Sequence, residues 1–154
     1  MRTANCRMLQ GAAAAFFLLA ACPAAQAADS SPAGVSVQDG WMRALPSAVP
    51  SGGYFTLQNK SGKPVILTGA NSPACGMLML HRTENMGGVS QMSDIAGVNV
   101  PAGETIKFSP GGYHLMCMNA TSAIKPGKMA LVTLKFSDGE TINAIFAVRN
   151  ASGK

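Results

Sequence analysis

Histidine is rare in this sequence and methionine plentiful: His81 and His114 are the only imidazoles, against ten methionines. His114-Leu115-Met116 reads as part of a β-strand, where side chains alternate between faces. His114 and Met116 therefore share one face, and Tyr113, Leu115 and Cys117 the other. His81 closes a run from Met77 in which Leu78 and Leu80 suit a buried face, so Met77, Met79 and His81 share the opposite one. A polar segment containing Gly87-Gly88 leads on to Met92.

Two imidazoles with two thioethers suit one metal state in particular. Thioether sulfur is soft and neutral, so it favours Cu(I) over Zn(II), Ca(II) or Mg(II), which prefer thiolates, imidazoles or hard oxygens. Thioethers need no deprotonation and cannot close into a disulfide, so such a site survives an oxidising compartment. Neutral ligands leave the ion's own charge in place, which favours moderate affinity and transfer by ligand exchange. Each residue alone has an ordinary structural role, since methionine is a common core filler. The combination of His81, Met92, His114 and Met116 carries the expectation.

The leader places the domain outside the cytoplasm. Arg2 and Arg7 precede an apolar run from Gly11 to Ala21, and Ala25-Gln26-Ala27 fits a cleavage site, so residues 1–27 read as a secretory signal peptide. The mature chain is expected to be one domain, residues 28–154, with no transmembrane segment. Leu19-Ala20-Ala21-Cys22 also resembles a lipobox, an alternative in which Cys22 becomes a lipidated N-terminus. Cleavage after Ala27 removes Cys6 and Cys22 and leaves Cys75 and Cys117, an even pair that points to a disulfide. The formal charge of +5 falls to about +3 without Arg2 and Arg7, and the remaining basic residues are scattered. Trp41 is the only tryptophan, and no basic stripe with interleaved aromatics appears, which argues against a nucleic-acid surface.

The elements that must position the site read as short strands. Val35–Arg43, Gly53–Asn59, Val65–Thr68, Met77–His81, Val98–Val100, Thr105–Phe108, Tyr113–Met118, Met129–Phe136 and Thr141–Val148 are β-prone runs punctuated by Gly and Pro. Asp138-Gly139 marks a hairpin between the last two. No helical periodicity persists for three turns. About nine strands in one small domain imply an all-β sandwich or Greek-key barrel.

The ligand spacing is His81-x10-Met92-x21-His114-x-Met116, and it resembles the H-x10-M-x21-H-x-M signature of the PCuAC copper chaperones. Trp41-Met42-Arg43-Ala44 is similar to that family's W-x-R-A segment, and Gly53-Tyr54-Phe55 to its G-Y-F strand. Ser72-Pro73-Ala74 and Pro110-Gly111-Gly112-Tyr113-His114-Leu115-Met116 match its S-P-A and P-G-G-Y-H-x-M runs. The resemblance spans Val35 to Val148. It implies a cupredoxin-like β-barrel that binds one Cu(I) through His81, Met92, His114 and Met116. It also implies a monomeric periplasmic carrier, not an enzyme, that delivers copper toward cytochrome c oxidase with a Sco-type partner. Some members carry a His- or Met-rich C-terminal tail for a second copper, and Asn150-Ala151-Ser152-Gly153-Lys154 offers none.

Other roles compete. A storage or resistance protein would use the same ligands. A blue-copper protein needs a Cys thiolate with two His and a weak axial Met, but strand alternation turns Cys117 away from His114 and Met116. A Cys117–His114 nucleophile pair meets the same objection. Met77, Met79, Met86 and Met118 are candidate auxiliary ligands for which packing is the ordinary role. Trp41 and Arg43 read as structural, with Arg43 available to dock a partner.

Overall fold

The computed structural model describes residues 31–46 and 48–154, so the signal-peptide and Cys22 expectations lie outside the described residues. Among the described residues ten strands follow one another: β1 Val35–Arg43, β2 Ser51–Asn59, β3 Val65–Asn71, β4 Cys75–Met86, β5 Val89–Asp94, β6 Val98–Val100, β7 Thr105–Phe108, β8 Tyr113–Ala120, β9 Met129–Phe136 and β10 Thr141–Arg149. The all-β expectation holds. No helix among the described residues is long and apolar enough to cross a membrane.

The strands hydrogen-bond in the order β5-β4-β8-β2-β1-β10-β9-β3-β6, with β7 pairing β2 beyond the reach of β8. Every pairing is antiparallel except β1 with β10. The sheet folds over so that β3 comes alongside β4. Alternation along the strands explains the enclosure. In β9, Ala130, Val132, Leu134 and Phe136 are buried while Met129, Leu131 and Lys135 face out. These side chains meet Phe55, Leu57, Leu115 and Phe146 in one core, where Phe55 stacks on Phe108 with centroids 4.2 Å apart. The Asp138-Gly139 hairpin forms as expected, with Gly139 at φ 86° and Asp138 Oδ1 accepting from the Glu140 N–H at 3.1 Å.

One strand escaped the sequence. Val89–Asp94 read as a polar connection, yet it pairs with β4 from Met86↔Val89 to His81↔Asp94. Gly87 and Gly88 form the two-residue turn, both at positive φ (59° and 82°), the geometry that two-residue hairpins favour. Met86 accordingly ends β4 and does not lie in a loop. All six residues of β5 are exposed, so the strand carries no apolar alternation to betray it.

Cys75 and Cys117 are joined by a disulfide, Cα–Cα 5.4 Å, that ties β4 to β8. Gly76 lies against Asn119, whose backbone is left-handed at φ 50°, and next to it Cys75, still paired with Ala120, is buried. The bridge is buried, with Cys117 fully enclosed.

Candidate metal centre

The β4–β8 ladder places His81 directly opposite His114, Met79 opposite Met116, and Met77 opposite Met118. Directly paired residues of an antiparallel ladder point to the same side, so six potential soft or borderline donors share one face. Leu78, Leu80, Leu115 and Cys117 occupy the other face, in the core. The two imidazoles stand with ring centroids 5.6 Å apart at 51°.

The hairpin of β4 and β5 supplies the rest. Met92 pairs with Thr83, and Asp94 with His81, so both project on the histidine side. Met92 remains about half exposed. Together with His114 and Met116 it lines a cleft of about 180 Å³, walled by Arg43, Ser51 and Tyr54. His81 lies outside that lining and joins it through the facing ring of His114. The structure thus gathers Met92, His114 and Met116 around one opening and sets His81 at its flank.

Each imidazole is prepared differently. His114 Nδ1 lies 3.0 Å from the Gly112 carbonyl oxygen. An Nδ1–H donated there fixes the tautomer and leaves the Nε2 lone pair free for a metal, the usual arrangement of a ligating histidine. Burial pushes the His114 pKa below its ordinary value, the Gly112 bond opposes this, and neighbouring His81 adds to the lowering. The lowering favours the neutral ring that a metal ligand needs. His81 is 7% exposed, with the exposed Asp94 carboxylate 2.5 Å from its Nε2. That contact lies off the hydrogen-bonding direction, and neither ring nitrogen makes a hydrogen bond among the described residues. The buried Nδ1, with no partner among the described residues, costs free energy unless something binds there.

The cleft wall explains the flanking motifs. Tyr54 packs on Trp41 at 4.5 Å and reaches toward His114 at 6.4 Å. The Arg43 guanidinium lies over both aromatic rings, 5.7 Å from Trp41 and 5.5 Å from Tyr54. Gly52, paired with Met116, leaves room for the Tyr54 hydroxyl, which an added Cβ would meet at 2.4 Å. Arg43 is a wall of the cleft. Asp94 and Ser51 carry no functional mark in the sequence and Gly52 reads only as a turn, because it is the cross-strand register that brings them to the site.

The arrangement excludes some chemistry. Among the described residues no group of three or more His, Cys, Asp or Glu side chains could hold a metal. The thioethers on the same face would offer an ion at His81 and His114 further donors that suit a soft cation. The bridged Cys117 has no thiolate, so the blue-copper and thiol-nucleophile alternatives both lose their essential group. A larger cavity of about 560 Å³ beside Ala120 and Ile124 is lined by no His, Met or carboxylate.

Comparison with known proteins agrees with this picture. The family model for LpqE-like lipoproteins matches residues 35–148. Lxx21020 of Leifsonia xyli subsp. xyli, which bears a lipoprotein name, is 34% identical over 121 residues, 78% of this chain and 72% of its own. The solution structure of apo-DR1885 from Deinococcus radiodurans is 32% identical, covering 96% of this chain and all of that one, with a TM-score of 0.62. The structure of its Cu(I) form is 30% identical over 80% of this chain and 83% of that one, at the same TM-score of 0.62. The copper-bound PCuAC domain from PmoF2 is 18% identical with a TM-score of 0.62, covering 76% of this chain and 93% of that one, a likeness of fold.

Proposed function

The chain belongs to the LpqE-like family, and we propose that it is an extracytoplasmic copper(I) carrier holding one ion through His81, Met92, His114 and Met116. One observation carries this function: the β4–β8 register sets His81 against His114, with Met116 and Met92 beside them at a solvent-open cleft. Two imidazoles and two thioethers form a neutral, soft donor set that suits Cu(I). Half-exposed Met92 gives an incoming ligand a point of attack, so the ion can leave by exchange. The exposed Asp94 carboxylate lies beside His81 Nε2, outside the ligand set.

The Cu(I) form of DR1885, a relative of similar fold, supports the choice of ion. The PCuAC resemblance supports delivery toward the copper centre of cytochrome c oxidase, with a Sco-type protein as partner. Storage or resistance is the second role, since the same ligands would serve it. The lipoprotein family supports an extracytoplasmic location and adds weight to Cys22 as a lipidated N-terminus. An intact mass of the mature protein separates lipidation at Cys22 from cleavage after Ala27.

The test is Cu(I) titration against a competing chelator. The wild type should take one ion at this site. His81→Ala, Met92→Leu, His114→Ala and Met116→Leu should each weaken binding at least about tenfold, equivalent to about 1.4 kcal/mol. Unchanged uptake in all four variants would discard the ligand set. Transfer to a copper-free recipient domain, followed by mass spectrometry, distinguishes delivery from storage.

A further inference from the structure

The ladder that aligns His81 with His114 continues past them as two methionine pairs. Met79 faces Met116, and Met77 faces Met118, all on the histidine side of the sheet. Of these four, only Met116 is needed by the site already described. Met77 is 55% exposed, and Met79 and Met118 are partly exposed. A methionine used as core filler looks different in this protein: Met42 is completely buried. Leu78 and Leu80, which alternate with Met77, Met79 and His81 on β4, already supply the core with apolar side chains.

We propose that Met77, Met79 and Met118 form a second thioether site for a soft monovalent cation, Cu(I) or Ag(I), next to the first. Cross-strand partners hold their Cβ atoms about 5 Å apart, and successive rows on one face are about 7 Å apart. Methionine has three rotatable side-chain bonds, so three sulfurs from these adjoining rows can converge on one ion. All three donors are neutral and free of protons to lose, so uptake changes no protonation state. The Met79–Met116 row adjoins both sites, which makes the second a staging position from which an ion can pass to His114 and His81.

Silver(I) titration followed by native mass spectrometry tests this on the mature, disulfide-bonded protein, since Ag(I) is soft and does not change oxidation state. The wild type should take up two ions. Met77→Leu/Met79→Leu/Met118→Leu should take up one, and His81→Ala/His114→Ala should also retain one. Leucine preserves bulk at these outward positions, and the milder Met77→Leu/Met118→Leu pair should weaken the second uptake if the triple variant folds poorly. A triple variant that still binds two ions, or a wild type that never exceeds one, overturns the second site. Loss of an ion in the methionine variant with none lost in the histidine variant would instead reject the first site and leave the second standing.

Discussion

Reduction of the Cys75–Cys117 bridge should destabilise the apo protein strongly without removing a metal ligand. The two cysteines are 42 residues apart in sequence. Closing a loop of that length in the unfolded chain removes about 13 cal/mol/K of entropy, or about 4 kcal/mol at 25 °C. A domain of roughly 120 residues unfolds with an entropy near 0.25 kcal/mol/K, so the melting temperature should fall by roughly 15 °C. Thermal melts of apo protein with and without dithiothreitol measure this, and urea melts should show a steeper m-value as the reduced unfolded chain expands. Cys75→Ala/Cys117→Ala adds a small cavity cost, because Cys117 is fully buried. Below the lowered midpoint, that variant should still bind Cu(I) with unchanged stoichiometry, since Cys117 projects to the core face. A drop of only a few degrees would refute the loop-closure account. Loss of the first copper with the fold intact would refute the exclusion of the cysteines from the site.

Two further predictions concern the hairpin and the protons. Gly87→Ala/Gly88→Ala forces side chains into left-handed backbone, although nothing lies within 4 Å of either added Cβ. The strain is about 1–2 kcal/mol per residue. It falls on an exposed hairpin, so Cu(I) affinity should drop at least about tenfold while the global melting temperature barely moves; equal losses in both would show that β5 is part of the cooperative core. For His114, the folded-state pKa lies below 6.5, so the unfolded chain binds the proton at higher pH than the folded one. The stabilisation is complete above pH 6.5 and is lost as pH falls through the lowered value. Urea midpoints from pH 7.5 to 4.5 should fall more in the wild type than in His114→Gln, and identical profiles would contradict this assignment.

The strands with one buried and one open face were legible because alternation is a local signal. β9 and β10 show it most fully, and Asp138-Gly139 fixes their register from within seven residues of chain. β5 was not legible, because a strand exposed on both faces has no reason to alternate; its only mark was Gly87-Gly88. Alternation also separated Cys117 from His114 and Met116 correctly. It could not pair His81 with His114, since that register depends on which distant strands become neighbours. The same limit hid Asp94 beside His81 and the packing of Tyr54 over Gly52. Met92 has no strand alternation to place it on the histidine face, and its position on β5 supplies the reason it reaches there: a tight hairpin turns the chain back to that face.

The bridge and the histidine pair lie at opposite ends of one ladder, and this sets the direction in which it can come apart. Cys75–Cys117 pins one end covalently, so fraying has to start at the other, where the Thr83 N–H donates to Gly112 at 3.1 Å and β5 has β4 as its neighbour in the sheet. In hydrogen exchange, amides of β5 and outer β4 should open first and those around Leu78 and Leu115 last. An ion spanning His81 and His114 would clasp the free end. Its departure would then be gated by the same opening that exposes those amides, making hairpin breathing the clock for metal release.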